Sequence, residues 1–140
     1  MNNKDLVVNL KRIAKLFSDA AWNYERALNK IEDEDLRQEL IEMHDEHMEQ
    51  MENLNGYIKQ LGENPPKFVS IGEMSKELIP VTDDMSSEEI IKALRNNEKI
   101  ISGKLQSLAD EVQIPEIARD LEDDIDDENT YIDTLRDYMS

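Results

Sequence analysis

One uninterrupted seam of apolar side chains constrains this chain more than any other feature. Leu6, Leu10, Ile13, Phe17, Ala20, Tyr24, Ala27 and Ile31 recur at steps of four and three. That rhythm returns to one face of an α-helix at every turn, whereas a strand would scatter it over both faces. It therefore specifies a long amphipathic helix with one buried stripe. Asn2 or Asn3 is placed to cap the helix, and Asp5 meets the positive end of its dipole. The spacing predicts a first helix over about residues 3–31.

Three further helices follow from the same rhythm. Glu32-Asp33-Glu34-Asp35 breaks the seam and supplies capping residues for a second helix over about 34–61. Its seam reads Leu40, His44, His47, Met51, Leu54, Ile58 and Leu61. Gly62 follows as a C-terminal cap, and Pro65-Pro66 prevents continuation. Ser86 with Glu89 forms a capping box for a third helix over about 87–112, with Ile91, Leu94, Glu98, Ile101, Leu105, Leu108 and Val112 on its seam. Pro115 suits the first turn of a fourth helix over about 115–139, where its missing N–H costs nothing. Ala118, Leu121, Ile125, Glu128, Ile132, Leu135 and Met139 make that helix's seam.

Four helices of similar length in a chain of 140 residues and 16.3 kDa fit one all-α domain, residues 1–140, folded as a four-helix bundle. Short connections make the first and second helices one antiparallel hairpin, and the third and fourth another. Residues 62–86 form the long connection. At roughly 3.3 Å per extended residue it can run the roughly 40 Å height of the bundle, which sets the second and third helices parallel. Within it, Ser70 with Glu73 fits a capping box, and Pro80 closes a short helix expected at 71–79.

Composition narrows the function. Asp and Glu outnumber Lys and Arg by 33 to 16, a net charge of −17, so the chain repels nucleic acid and anionic membrane and attracts cations. Cysteine is absent, which excludes disulfides, thiol catalysis and thiolate metal sites. No apolar run reaches the roughly 20 residues of a membrane span. The start Met1-Asn2-Asn3-Lys4-Asp5 lacks the build of a signal peptide, so a cytoplasmic location is expected.

The polar residues within the seams are His44, His47, Glu98 and Glu128, and the two histidines are the only ones in the chain. Counted from the turns, His47 falls near mid-helix, and Glu98 and Glu128 lie at nearly equal distances from the turn that joins their helices. All converge at mid-bundle. Two carboxylates in an apolar layer are costly without a cation or proton between them. Imidazole and carboxylate together are ligands that divalent transition metals accept. The competing reading is a buried polar layer, Glu paired with protonated His, that fixes register and binds no metal. A second alternative is that Met43 takes the seam position of His44 and leaves one histidine in solvent.

These positions resemble the ferritin-like superfamily, which carries a lone Glu on each of two helices and Glu-x-x-His on each of the other two. Glu98 matches the lone Glu of the third helix, Glu128 the Glu of the fourth-helix motif, and His47 the His of the second-helix motif. The stretch from Asp35-Leu36-Arg37-Gln38 through Leu61-Gly62-Glu63-Asn64-Pro65 is similar to the second helix of small bacterial ferritin-like stress-response proteins of poorly known function. The pattern departs at His44, where the motif has Glu, and at Tyr131, where it has His. Ala20 occupies the first helix at this height, with Asp19 beside it and within reach of the interior. The resemblance implies a metal site built on His47, Glu98 and Glu128, with His44 or Asp19 assisting, that holds iron or another divalent transition metal. Only two well-placed carboxylates point to a mononuclear or degenerate site in place of a di-iron centre.

Other features have plainer readings. Leu121-Glu122-Asp123-Asp124-Ile125-Asp126-Asp127-Glu128 lacks the glycine of a calcium loop and keeps helical spacing, so it is the solvated face of the fourth helix. Trp22, Val7, Val8, Ile90 and Ile100 flank the seams and either pack under the crossover or form the contact face of a homodimer. The seven methionines, among them Met43, Met48 and Met51, suit adaptable core packing. No phosphate-binding glycine loop or Ser/His/Asp arrangement is present, and whether the chain is an enzyme is left open. Two functions stand: a metal-binding ferritin-like bundle, or a non-enzymatic structural or interaction bundle with no metal.

Overall fold

The computed structural model describes residues 1–67 and 74–139. Among these the chain forms four helices and no strand: α1 (Asn3–Leu28), α2 (Glu34–Gln60), α3 (Ser87–Glu111) and α4 (Pro115–Asp137). Each end has a local cause. The Asn2 side chain accepts from the Asp5 N–H at 2.8 Å, and Asp33 caps Leu36 at 3.0 Å. Ser86 and Glu89 exchange two 3.2 Å bonds in the expected box. Pro115 opens α4 without a side-chain cap.

The first helix stops three residues short of its expected end. Asn29, Lys30 and Ile31 turn back on Ala27 and Arg26, while the Arg37 guanidinium binds the carbonyls of Leu28 and Ile31. Ile31 is buried all the same, 3% exposed, so its apolar rhythm outlasts the helix. At the end of α2, Gly62 donates to Lys59 and Glu63 to Ile58, at 3.0 and 3.1 Å. This pairing of 5→2 and 6→1 bonds needs a left-handed residue, and Gly62 supplies it at φ +87°.

Helix directions follow from the contacts. On the α2–α4 face, residues 46, 50 and 57 meet 131, 127 and 120, so the two helices run antiparallel in constant register. Lys30, just past α1, binds the Asp83 carbonyl just before α3, so α1 ends where α3 begins. α2 ends at the opposite pole from the start of α3. α2 and α3 are therefore parallel, as the length of the connection predicts. The short helix expected at 71–79 is not formed over 74–79, which are turn, bend and irregular backbone. Its first residues and the Ser70–Glu73 capping box lie outside the described residues.

Two buried asparagines tie the crossover down. Asn97 on α3 receives the Ile79 N–H at 2.7 Å and donates to the Ile79 carbonyl at 2.8 Å. Asn23 on α1 donates to the same carbonyl at 3.1 Å and accepts from Val81 at 2.9 Å. Trp22 lines a hollow with Met74, Leu78 and Pro80, so it packs under the crossover. Val7 and Ile90 are buried, whereas Val8 stays exposed.

The α1 seam is buried throughout. On α4 the buried line is Ile117, Leu121, Glu128, Tyr131 and Leu135, with Ala118, Ile125 and Ile132 only half-buried beside it. On α2, Met43 is buried at 2% exposure and His44 is displaced to the rim. No helix among the described residues is long and apolar enough to cross a membrane.

Candidate metal centre

Three helices bring His47, Glu98 and Glu128 to one level. One ligand-type atom from each lies within 4.8 Å of the others, and none of the side chains is more than 1% exposed. Aromatic rings seal the imidazole from water. Phe17 stacks on it at 5.4 Å between centroids, Tyr24 lies tilted at 5.7 Å, and Tyr131 meets it edge-on at 5.4 Å.

Both imidazole nitrogens have partners. Nε2 lies 2.8 Å from Glu98 Oε1, and Nδ1 lies 2.7 Å from the Gln50 carbonyl oxygen. Glu128 Oε1 is 3.6 Å from Nδ1. The Tyr24 hydroxyl donates to the same Glu98 Oε1. Gln50 in turn donates to Asp127 at 3.4 Å, and the Tyr131 hydroxyl donates to Glu46 on the rim.

Burial sets the electrostatics. Burial alone would lower the His47 pKa, but the Glu98 charge and the bonds to Glu98 and Gln50 outweigh it and hold the imidazole above its ordinary value. Burial would raise Glu98, yet the facing His47 charge and the bonds from His47 and Tyr24 hold it below the usual carboxylate range. Glu128 lacks such donors. Burial first, then the neighbouring Glu98 charge, pushes it well above that range. Asp124, one turn away, is pushed up to about 7 by burial and by Asp127 and Asp120.

The other candidate ligands are engaged elsewhere. His44 lies at the rim, 2.9 Å from both Glu25 and Asp45, because Met43 fills the core position beside it. Asp19 is buried, but it accepts from Lys15 at 2.6 Å and from the Ser75 N–H at 2.8 Å, and so faces the crossover. Ala20 holds the α1 seam next to it. The acidic run of α4 is helical, with Glu122, Asp123, Asp126 and Asp127 in solvent. Sequence reasoning passed over Tyr24, which reads as one more apolar seam residue, and Gln50, which reads as surface. Their signal was position: Gln50 follows His47 by three residues, as Tyr131 follows Glu128, and i,i+3 neighbours share a helix face.

Glu98 Oε2 and both oxygens of Glu128 are buried with no hydrogen-bond partner. Buried polar atoms are nearly always satisfied, and orphaned carboxylate oxygens beside an imidazole are donors that suit a divalent cation. The residues present therefore fit one metal ion. Among the described residues these three side chains make the only such cluster.

Two antiparallel hairpins with α2 and α3 parallel make a four-helix bundle of ferritin-like fold. A solved structure described as ferritin like, diiron-carboxylate proteins, from Bacillus anthracis str. Ames, matches it over 100% of both chains with a TM-score of 0.80 and 17% sequence identity. At that identity the likeness shows the fold. Residues 5–111 match the family described as a domain of unknown function (DUF2383), and the chain belongs to that family. No curated protein matches the sequence.

Proposed function

We propose that this protein holds a single divalent transition-metal ion at mid-bundle through His47, Glu98 and Glu128. The three buried carboxylate oxygens that lack a hydrogen-bond partner, beside a buried imidazole, carry the reading, because a divalent cation would offset their desolvation. Iron is favoured by the description of the structural neighbour, and one imidazole with two carboxylates also accepts manganese or zinc. A bound iron would supply Lewis acidity and one-electron chemistry. The protein's own part is to keep water out with Phe17, Tyr24 and Tyr131, and to hold Glu98 through the Tyr24 hydroxyl so that Oε2 stays free.

The direct test is thermal melting of chelator-stripped protein with Fe(II) under anaerobic conditions, Mn(II) or Zn(II). An ion that binds only the native state at 100 times its Kd adds about 2.7 kcal/mol. Stabilisation by at least one ion, lost in Glu98→Ala, supports the site. No stabilisation by any of the three overturns it.

One observation favours the metal-free alternative. His47 already has a partner at each nitrogen, so a protonated imidazole between Glu98 and Gln50 can serve as a register-fixing layer. In that case the bundle is a structural or interaction module, and simultaneous apolar replacement of the three residues improves it.

A further inference from the structure

We infer that Gln50 is a positioning residue that commits His47 to bind its metal through Nε2 while Nδ1 keeps its proton. The inference rests on the metal reading above and goes beyond it by assigning the ligand atom and the residue that selects it.

The argument starts at the surface and works inward through donor and acceptor roles. Asp127 Oδ2 is a carboxylate oxygen, an acceptor toward Gln50. The Gln50 amide therefore turns its NH2 toward Asp127, at 3.4 Å. Its carbonyl oxygen is then left facing His47 Nδ1, at 2.7 Å. A carbonyl oxygen only accepts, so Nδ1 must carry hydrogen. Turning the amide over would set a carbonyl against the Asp127 carboxylate and lose both bonds at once.

Burial makes the assignment binding. His47 is 0% and Gln50 4% exposed, so water is poorly placed to replace the bond between them. A neutral imidazole has one N–H and one lone pair, and with the hydrogen fixed on Nδ1 the lone pair belongs to Nε2. In the metal-free protein Nε2 faces the acceptor Glu98 Oε1 at 2.8 Å and so carries hydrogen as well; that proton, set against a carboxylate, is the one a metal displaces, while the Gln50 carbonyl keeps the hydrogen on Nδ1. A hydrogen bond from the distal ring nitrogen is how proteins commonly fix a ligating histidine's tautomer. The competing arrangement is ligation through Nδ1, which lies 3.6 Å from Glu128 Oε1 and would require Gln50 to surrender its bond.

The experiment uses the full chain labelled with nitrogen-15 histidine, stripped of metal and then loaded with Zn(II) alone. The spectrum contains only His44 and His47. His44, at the rim with Glu25 and Asp45, serves as internal reference. The expected result is that Zn(II) moves the His47 Nε2 resonance to a metal-bound position while Nδ1 remains protonated. Zn(II) affinity should fall about 10- to 100-fold in Gln50→Met and recover in Gln50→Glu, which restores an acceptor. A metal-bound Nδ1 in the wild-type protein overturns the inference and leaves the metal site standing. Gln50→Met affinity within twofold of wild type overturns the positioning role. A His47 signal that ignores Zn(II) overturns both readings. The wild-type spectrum decides the ligand atom even where a variant fails to fold.

Discussion

His47 and Glu98 meet across the core of the bundle, Nε2 2.8 Å from Oε1, with neither side chain more than 1% exposed. A buried pair of this kind is held by mutual attraction against a large desolvation cost, so removing one member strands the other. In metal-free protein, Glu98→Ala should therefore cost about 3–5 kcal/mol, measured by urea unfolding. A loss below about 1 kcal/mol would mean that the pair contributes little to the fold.

Replacing the whole layer should act differently. With His47→Met, Glu98→Leu and Glu128→Met combined, no charge is left in this layer, and metal-free stability should stay level or rise by about 1–4 kcal/mol. The same variant should gain nothing from added metal. If the wild type gains nothing either, the layer is structural and the alternative reading holds.

The pH dependence separates metal-free from metal-loaded protein. The raised pKa of His47 gives stability that is complete below the unfolded value of about 6.5 and is lost as pH rises through the higher folded value. Glu128, raised from about 4.3, and Asp124, raised to about 7, lose their contributions in the same direction. Glu98, held low, contributes above about 4.3 and loses that contribution only as pH falls through its depressed value. Chelated protein should thus melt highest near pH 5 and lower toward pH 8. Metal acts oppositely, because protons compete for its ligands. Chelator should lower Tm at pH 7.5 and barely at pH 5. Equal melting with and without chelator at both values would count against a resident ion.

The crossover gives a prediction independent of any metal. Asn97 alone partners the Ile79 N–H and shares its carbonyl with Asn23. Asn97→Ala removes two part-buried bonds to the Ile79 backbone and should cost about 1 kcal/mol in urea unfolding. An unchanged midpoint would mean that Asn97 does not anchor the crossover.

Much of this was legible in the sequence, and the failures have specific causes. The α1 seam was fully readable because every position on it is apolar. The seams of α2 and α4 were read one residue off in places. Two rim positions competed with a core neighbour of another kind: Ile132 with Tyr131, and His44 with Met43. Hydrophobicity or chemical interest favoured the first of each pair, and packing chose the second. His47, Glu98 and Glu128 were found because a polar residue inside an apolar rhythm stands out. Gln50 was not, since its role depends on which way a neighbouring imidazole faces, and spacing does not encode that. Asp19 was placed beside the seam, but its bond to Ser75 depends on where a long connection settles.

The most direct measurement is an anaerobic calorimetric titration of chelator-stripped protein with Fe(II), repeated with Zn(II), on the wild type and on Glu128→Leu. The account predicts one saturable ion per chain for at least one metal in the wild type, and loss of that event in the variant. Two equivalent ions per chain, no saturable binding, or binding that survives Glu128→Leu unchanged would contradict it.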